Sequence, residues 1–69
     1  MPDGLANQLK EIRGELGLTQ AQLAEAAGVT RKTINTVENG VFVPSTLLAL
    51  KIARALDRPV EQIFSISEN

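Results

Sequence analysis

Arg31, Lys32, Asn35 and Thr36 fall on one face of a short stretch with helical spacing. Two cations and two hydrogen-bonding side chains on a rigid surface suit one kind of chemistry. They can donate to and accept from base edges in a DNA major groove. Covalent chemistry finds no comparable constellation. The chain has no Cys and no His. That removes Cys-His and Ser-His nucleophiles, disulfides and the usual zinc sites. The carboxylates are scattered over helix surfaces, and no nucleophile has a base beside it. The expectation is a protein that is not an enzyme and uses neither metal nor cofactor.

A helix, a tight turn and a second helix over residues 20–39 must position that face. The first helix packs through Leu23, Ala24 and Ala27, the second through Ile34 and Val37. Small Ala24 and Ala27 let the two approach closely. Gly28 between them can take a left-handed conformation without a Cβ clash. Thr19 and Gln22 have the spacing of a capping box. Thr30 caps the second helix, and Gly40 stops it.

The remaining elements follow from the same signals. Residues 1–4 contain Pro and Gly and are expected to be loose. A helix from about residue 5 or 7 to residue 16 carries Leu5, Leu9, Ile12 and Leu16 as its apolar stripe. Either Asp3 or Asn7 could cap it, and Gly17 ends it. Residues 41–44 read as an extended connection with Phe42 folded back on the core. A fourth helix, capped by Ser45, reaches Leu56. Its stripe is Ala49, Ile52, Ala53 and Leu56, with Leu47, Leu48 and Leu50 spread around it. That stripe is too broad for a lone surface helix and suggests a partner surface. Asp57-Arg58-Pro59 breaks the chain. A short fifth helix over about 60–64 packs through Ile63 and Phe64, and the alternation of 65–67 allows a short strand. Five short helices make the fold class all-α. The 69 residues allow one domain, with a core at about 5–64 and terminal extensions at 1–4 and 65–69.

Hydrophobic residues at 43% and charged residues at 22% fit a globular chain. Nothing resembles a signal peptide or a membrane span. The expected location is the cytoplasm, on the nucleoid when DNA is bound. The net charge of −1 contrasts with the basic surface that phosphate binding normally draws on. Placement matters more than the sum. Arg31 and Lys32 sit together, while Glu11, Glu15, Glu61 and Glu68 lie well away from them in sequence.

Arg13 falls with Leu9 and Leu16 on the packing face of the first helix. Glu38 adjoins Ile34 and Val37 on the packing face of the third. An unpaired buried charge is very costly, so the two should form an ion pair that sets the angle of the third helix. The apolar excess of the fourth helix, with Phe42, Val43 and Ile66, reads as ordinary core or as a dimer interface. Leu47, Leu50, Phe64 and Ile66 are the interface candidates.

The stretch from Thr19 to Gly40, TQAQLAEAAGVTRKTINTVENG, resembles the phage-repressor-like Cro/Xre helix-turn-helix domain. Pro44-Ser45, Leu48 to Ala53, Leu56, Pro59-Val60 and Gln62 to Phe64 are similar to it too. The likeness runs from about Leu9 to Phe64. It implies a five-helix lambda-repressor-like domain with helices two and three as the helix-turn-helix. It also implies a homodimer on operator DNA and the same Arg13–Glu38 pair. By position it assigns phosphate contacts to Gln20 and Asn39, an opening contact to Thr30, and base reading to Arg31, Lys32 and Thr36. Thr33 and Asn35 are additional contacts. One departure is that Val41 and Phe42 follow Asn39-Gly40, where many relatives place a phosphate-gripping Lys or Arg. The expected function is a sequence-specific regulator of transcription, a repressor binding a palindromic operator. The alternatives are an antitoxin, which would also bind a small partner toxin, and a protein-interaction adaptor that has lost DNA binding.

Overall fold

The computed structural model describes residues 4–67. The order of elements is β1 (Gly4–Asn7), α1 (Leu9–Glu15), α2 (Gln20–Ala27), α3 (Arg31–Glu38), α4 (Thr46–Leu56), α5 (Val60–Ile63) and β2 (Phe64–Ser67). The five helices converge on one apolar cluster. Leu9 and Ile12 come from α1, Leu23 and Ala24 from α2, Ile34 and Val37 from α3, Ile52, Ala53 and Leu56 from α4, and Ile63 from α5. Full burial of each such aliphatic side chain contributes about 1.5–3 kcal/mol, so no single helix is stable without the others.

Local chemistry fixes the helix ends. Gln22 N–H donates to Thr19 Oγ1 at 3.0 Å, and Thr19 N–H donates to the Gln22 amide oxygen at 2.8 Å. This reciprocal box starts α2. Thr19→Ala is expected to lower stability by about 1 kcal/mol, read as a shifted urea midpoint at unchanged slope. Ser45 caps α4 through Leu48 N–H. Gly28, at φ +73°, turns the chain between α2 and α3, a backbone conformation that a Cβ disfavours.

The structure corrects the expected start of the first helix. Residues 4–7 form a strand, and α1 begins at Leu9. β1 pairs antiparallel with β2, with Leu5 opposite Ile66 and Asn7 opposite Phe64. Gln8 N–H continues this pairing to the Ile63 carbonyl at 2.7 Å. The strand wins because its backbone groups find partners at the far end of the chain, which a short helix extension could not offer them. The five-helix architecture is otherwise as expected, with a small two-stranded sheet added. Residue 4 and residues 65–67 belong to that sheet. Neither expected cap holds the N-cap position of α1, which is Gln8 without a side-chain cap bond. Asn7, one residue earlier, accepts from Leu9 N–H at 3.3 Å, while Asp3 lies outside the described residues. Leu5 moves from the helix stripe to β1, and Leu16 is an exposed C-cap residue.

Phe42 does not fold back on the core. It is 43% exposed and lies along an open groove with Leu5, Val41 and Val43. The helices already fill the core, and the loop after Gly40 carries Phe42 past it. α5 ends at Ile63, and Phe64 opens β2 with extended backbone angles. No helix among the described residues is long and apolar enough to cross a membrane.

Candidate nucleic-acid interface

α3 has two unlike sides. Ile34 and Val37 are buried inward. Arg31, Lys32 and Asn35 are exposed and line a shallow open depression. The inward contacts hold the helix, and the outward side chains stay available. Among the described residues neither Arg31 nor Lys32 has a carboxylate partner within salt-bridge distance.

The threonines are more committed. Thr30 Oγ1 accepts from Thr33 N–H at 3.2 Å, and the Thr30 and Thr33 hydroxyls lie 3.0 Å apart. They organise the first turn of α3. The Thr36 hydroxyl lies 3.1 Å from the Lys32 carbonyl and 2.9 Å from the Thr33 carbonyl. Its proton is therefore held within the helix. The methyl group and the oxygen lone pairs are what Thr36 can offer outward. Asn39 Nδ2 donates to Asn35 Oδ1 at 3.2 Å. That leaves the Asn35 NH₂ group, the second lone pair of Asn35 Oδ1 and the Asn39 side-chain oxygen available to bond elsewhere.

Beneath this surface lies a charge network. Arg13 Nε donates to Glu38 Oε2 at 2.6 Å, and Arg13 Nη2 donates to Glu38 Oε1 at 3.2 Å. Arg13 Nη1 donates to the Leu18 carbonyl at 2.8 Å. Gln20 Nε2 completes the set with a 3.0 Å bond to Glu38 Oε1. The Glu38 side chain is 2% exposed and that of Arg13 16%. Burial raises the Glu38 pKa, but hydrogen bonds from Arg13 and Gln20 and the charges of Arg13 and Lys10 outweigh it, so the net direction is down. The Arg13 guanidinium is pushed up, chiefly by its hydrogen bond to Glu38.

The structure thus gathers Arg31, Lys32 and Asn35 on one surface, with Thr36 further along the same helix and Asn39 at its C-cap. Gln20 is set apart. Its amide turns towards Glu38, and one of its two N–H groups remains for another acceptor. Asn7 is a residue that sequence reasoning weighed only as a cap. Its Nδ2 also donates to the Val37 carbonyl at 3.2 Å. Nothing in the sequence near either residue signals a bond between positions 30 apart.

Two packed helices joined by a left-handed glycine, with a polar and cationic outer face on the second, define a helix-turn-helix unit. A helix-turn-helix family model matches residues 9–63. The chain belongs to this family of Cro/C1-type transcriptional regulators, which are not enzymes. It is 44% identical over 64 residues to the uncharacterised HTH-type transcriptional regulator YgzD of Bacillus subtilis, covering 93% of this chain and 97% of the relative. It is 53% identical over 62 residues to an uncharacterised HTH-type transcriptional regulator of Methanothermobacter thermautotrophicus, covering 88% and 90%. The crystal structure of the restriction-modification controller protein C.AhdI from Aeromonas hydrophila is similar, with a TM-score of 0.76 and 37% identity. That match covers 78% of this chain and 82% of the other.

Proposed function

We propose that this protein reads double-stranded DNA in a sequence-specific manner and represses transcription as a homodimer on a palindromic operator. The observation that carries the reading is the outward face of α3. Arg31, Lys32 and Asn35 are exposed there, neither cation has an ion-pair partner among the described residues, and the helix is anchored by Ile34 and Val37. Arg31 suits guanine O6 and N7, Asn35 suits adenine N6 and N7, and the Thr36 methyl suits that of thymine. Thr30, Thr33, Gln20 and Asn39 flank this face as phosphate or auxiliary contacts. A dimer on a promoter blocks polymerase sterically. It acts on nucleoid DNA in the cytoplasm.

The homodimer draws support from apolar surface. Leu47 and Ile66 are each 64% exposed, and Leu50 is exposed as well. Phe64 is half-buried and packs against the core. A two-fold axis through this region would set two copies of α3 in successive major grooves, about 34 Å apart.

A second reading has its own observation. Val41, Phe42 and Val43 are exposed apolar residues immediately after α3, where a cation would grip phosphate. They favour a protein contact, as in an antitoxin with a small partner or an adaptor. Selection of duplexes from a random DNA pool separates these readings. The expected product is a palindrome with half-sites about one helical turn apart, bound by two chains with a steep salt dependence. No enrichment at low salt would favour the adaptor, and enriched duplexes without symmetry would remove the dimer.

A further inference from the structure

Side chains from three other elements tether the last turn of α3. Arg13 of α1 and Gln20 of α2 reach Glu38, and Asn7 of β1 reaches the Val37 carbonyl. That carbonyl already accepts from Gly40 N–H at 3.1 Å, and Val41 N–H donates to the Thr36 carbonyl at 3.1 Å. A carbonyl oxygen has two lone pairs, and the Asn7 amide occupies the second. The other end of the same amide accepts from Leu9 N–H at the start of α1. One side chain therefore joins the end of β1, the beginning of α1 and the end of α3. Its own backbone is held by the register with Phe64 and by the adjoining bond from Gln8 N–H to the Ile63 carbonyl.

Apolar packing through Ile34 and Val37 presses α3 onto the core but has no direction. It resists removal of the helix more than a small slide or roll. Hydrogen bonds weaken steeply with distance and angle, so they do resist such movement. Base reading needs that resistance. A two-pronged contact from Arg31 tolerates little displacement before one of its bonds is lost. Asn7 meets α3 at the opposite end from Arg31 and Lys32, so it acts through the helix and not by contact.

We propose that Asn7 is a positioning residue for DNA reading, coupling the β1–β2 sheet to the recognition helix. The inference rests on the DNA-reading function above. It makes the two ends of the described chain part of the specificity apparatus, although neither lies on the reading face.

The test uses the full chain and the duplex selected with it. Asn7→Ser keeps a hydroxyl near Leu9 N–H but is too short to reach the Val37 carbonyl. Asn7→Ala removes both bonds. In the free protein, amide exchange at Gly40 and Val41 is expected to quicken about tenfold in Asn7→Ser, with Ile52 in the core within about twofold of wild type. The ratio of affinities for the selected duplex and for one with altered half-site bases is expected to fall about tenfold, roughly one lost base contact. This ratio is insensitive to the fraction folded, because unfolding weakens both affinities equally. An unchanged ratio in Asn7→Ser overturns the proposal and leaves the DNA reading intact. A wild-type chain that selects no duplex overturns both.

Discussion

Replacing Arg31 and Lys32 together by Ala is expected to abolish operator binding while the fold survives. Each good two-pronged base contact is worth about 1–3 kcal/mol. A homodimer loses two such contacts in each half-site, about 4 kcal/mol or more, which weakens binding by roughly seven-hundred-fold at the least. Stability should change by less than about 0.5 kcal/mol, because both side chains are exposed and unpaired within the described residues. Fluorescence anisotropy with a labelled operator reads the first effect, and urea unfolding reads the second. Lys10→Gln with Arg58→Gln is the control, removing the same charge from outside α3 and away from Leu47 and Leu50. It should leave affinity within about threefold at moderate salt, where distant charges are screened. If the control pair matched the Arg31 and Lys32 pair, binding would follow total charge and not the reading face.

The second large effect lies beneath that face. Arg13→Ala would leave Glu38 buried with only Gln20 as a partner. Removing one member of a buried pair typically costs about 3–5 kcal/mol. Partial exposure of Arg13 lets water reach the site and brings the expected loss to about 2–4 kcal/mol. At about 0.05–0.15 kcal/mol per residue, 69 residues have only about 3–10 kcal/mol in total, and this loss takes a large share of it. Arg13→Ala should therefore be marginally folded at 25 °C, and an unchanged urea midpoint would refute the structural role of the pair.

Acid should act on the same bond. The folded-state pKa of Glu38 lies below its unfolded value. Its contribution is therefore complete above the unfolded pKa of about 4.3 and disappears as pH falls through the lower folded value. Unfolding free energy should hold from neutral pH to about 5 and decline below about 4. Glu38→Gln should flatten that decline. Arg13→Met with Glu38→Leu offers a sharper separation. Filling the site with apolar groups can restore stability but not the directional hold on α3. Recovered stability with reduced operator discrimination would assign the pair an orienting role.

What the sequence determined by itself is local or periodic. Thr19 with Gln22, Thr30, Ser45, and the glycines at 17, 28 and 40 act on neighbours a few residues away. Their caps and left-handed turns are therefore legible without the fold. The stripes of α2 to α4 are legible for a similar reason, since one face of each helix must leave water. Arg13 and Glu38 could be paired from sequence because two inward-facing opposite charges have few alternatives.

Only the tertiary structure decided where helix and strand compete. Residues 4–7 have no strong preference, and their partner in β2 lies some sixty positions away. The choice depends on backbone hydrogen bonds that exist only after α5 has delivered β2 alongside them. The outward course of Phe42 depends on a core already filled by the helices. The Asn7 bond to Val37 likewise needs both ends assembled. Local interactions specified α3 and its outward side chains. The exact seat of that helix in the molecule required long-range bonds that no short window of sequence contains.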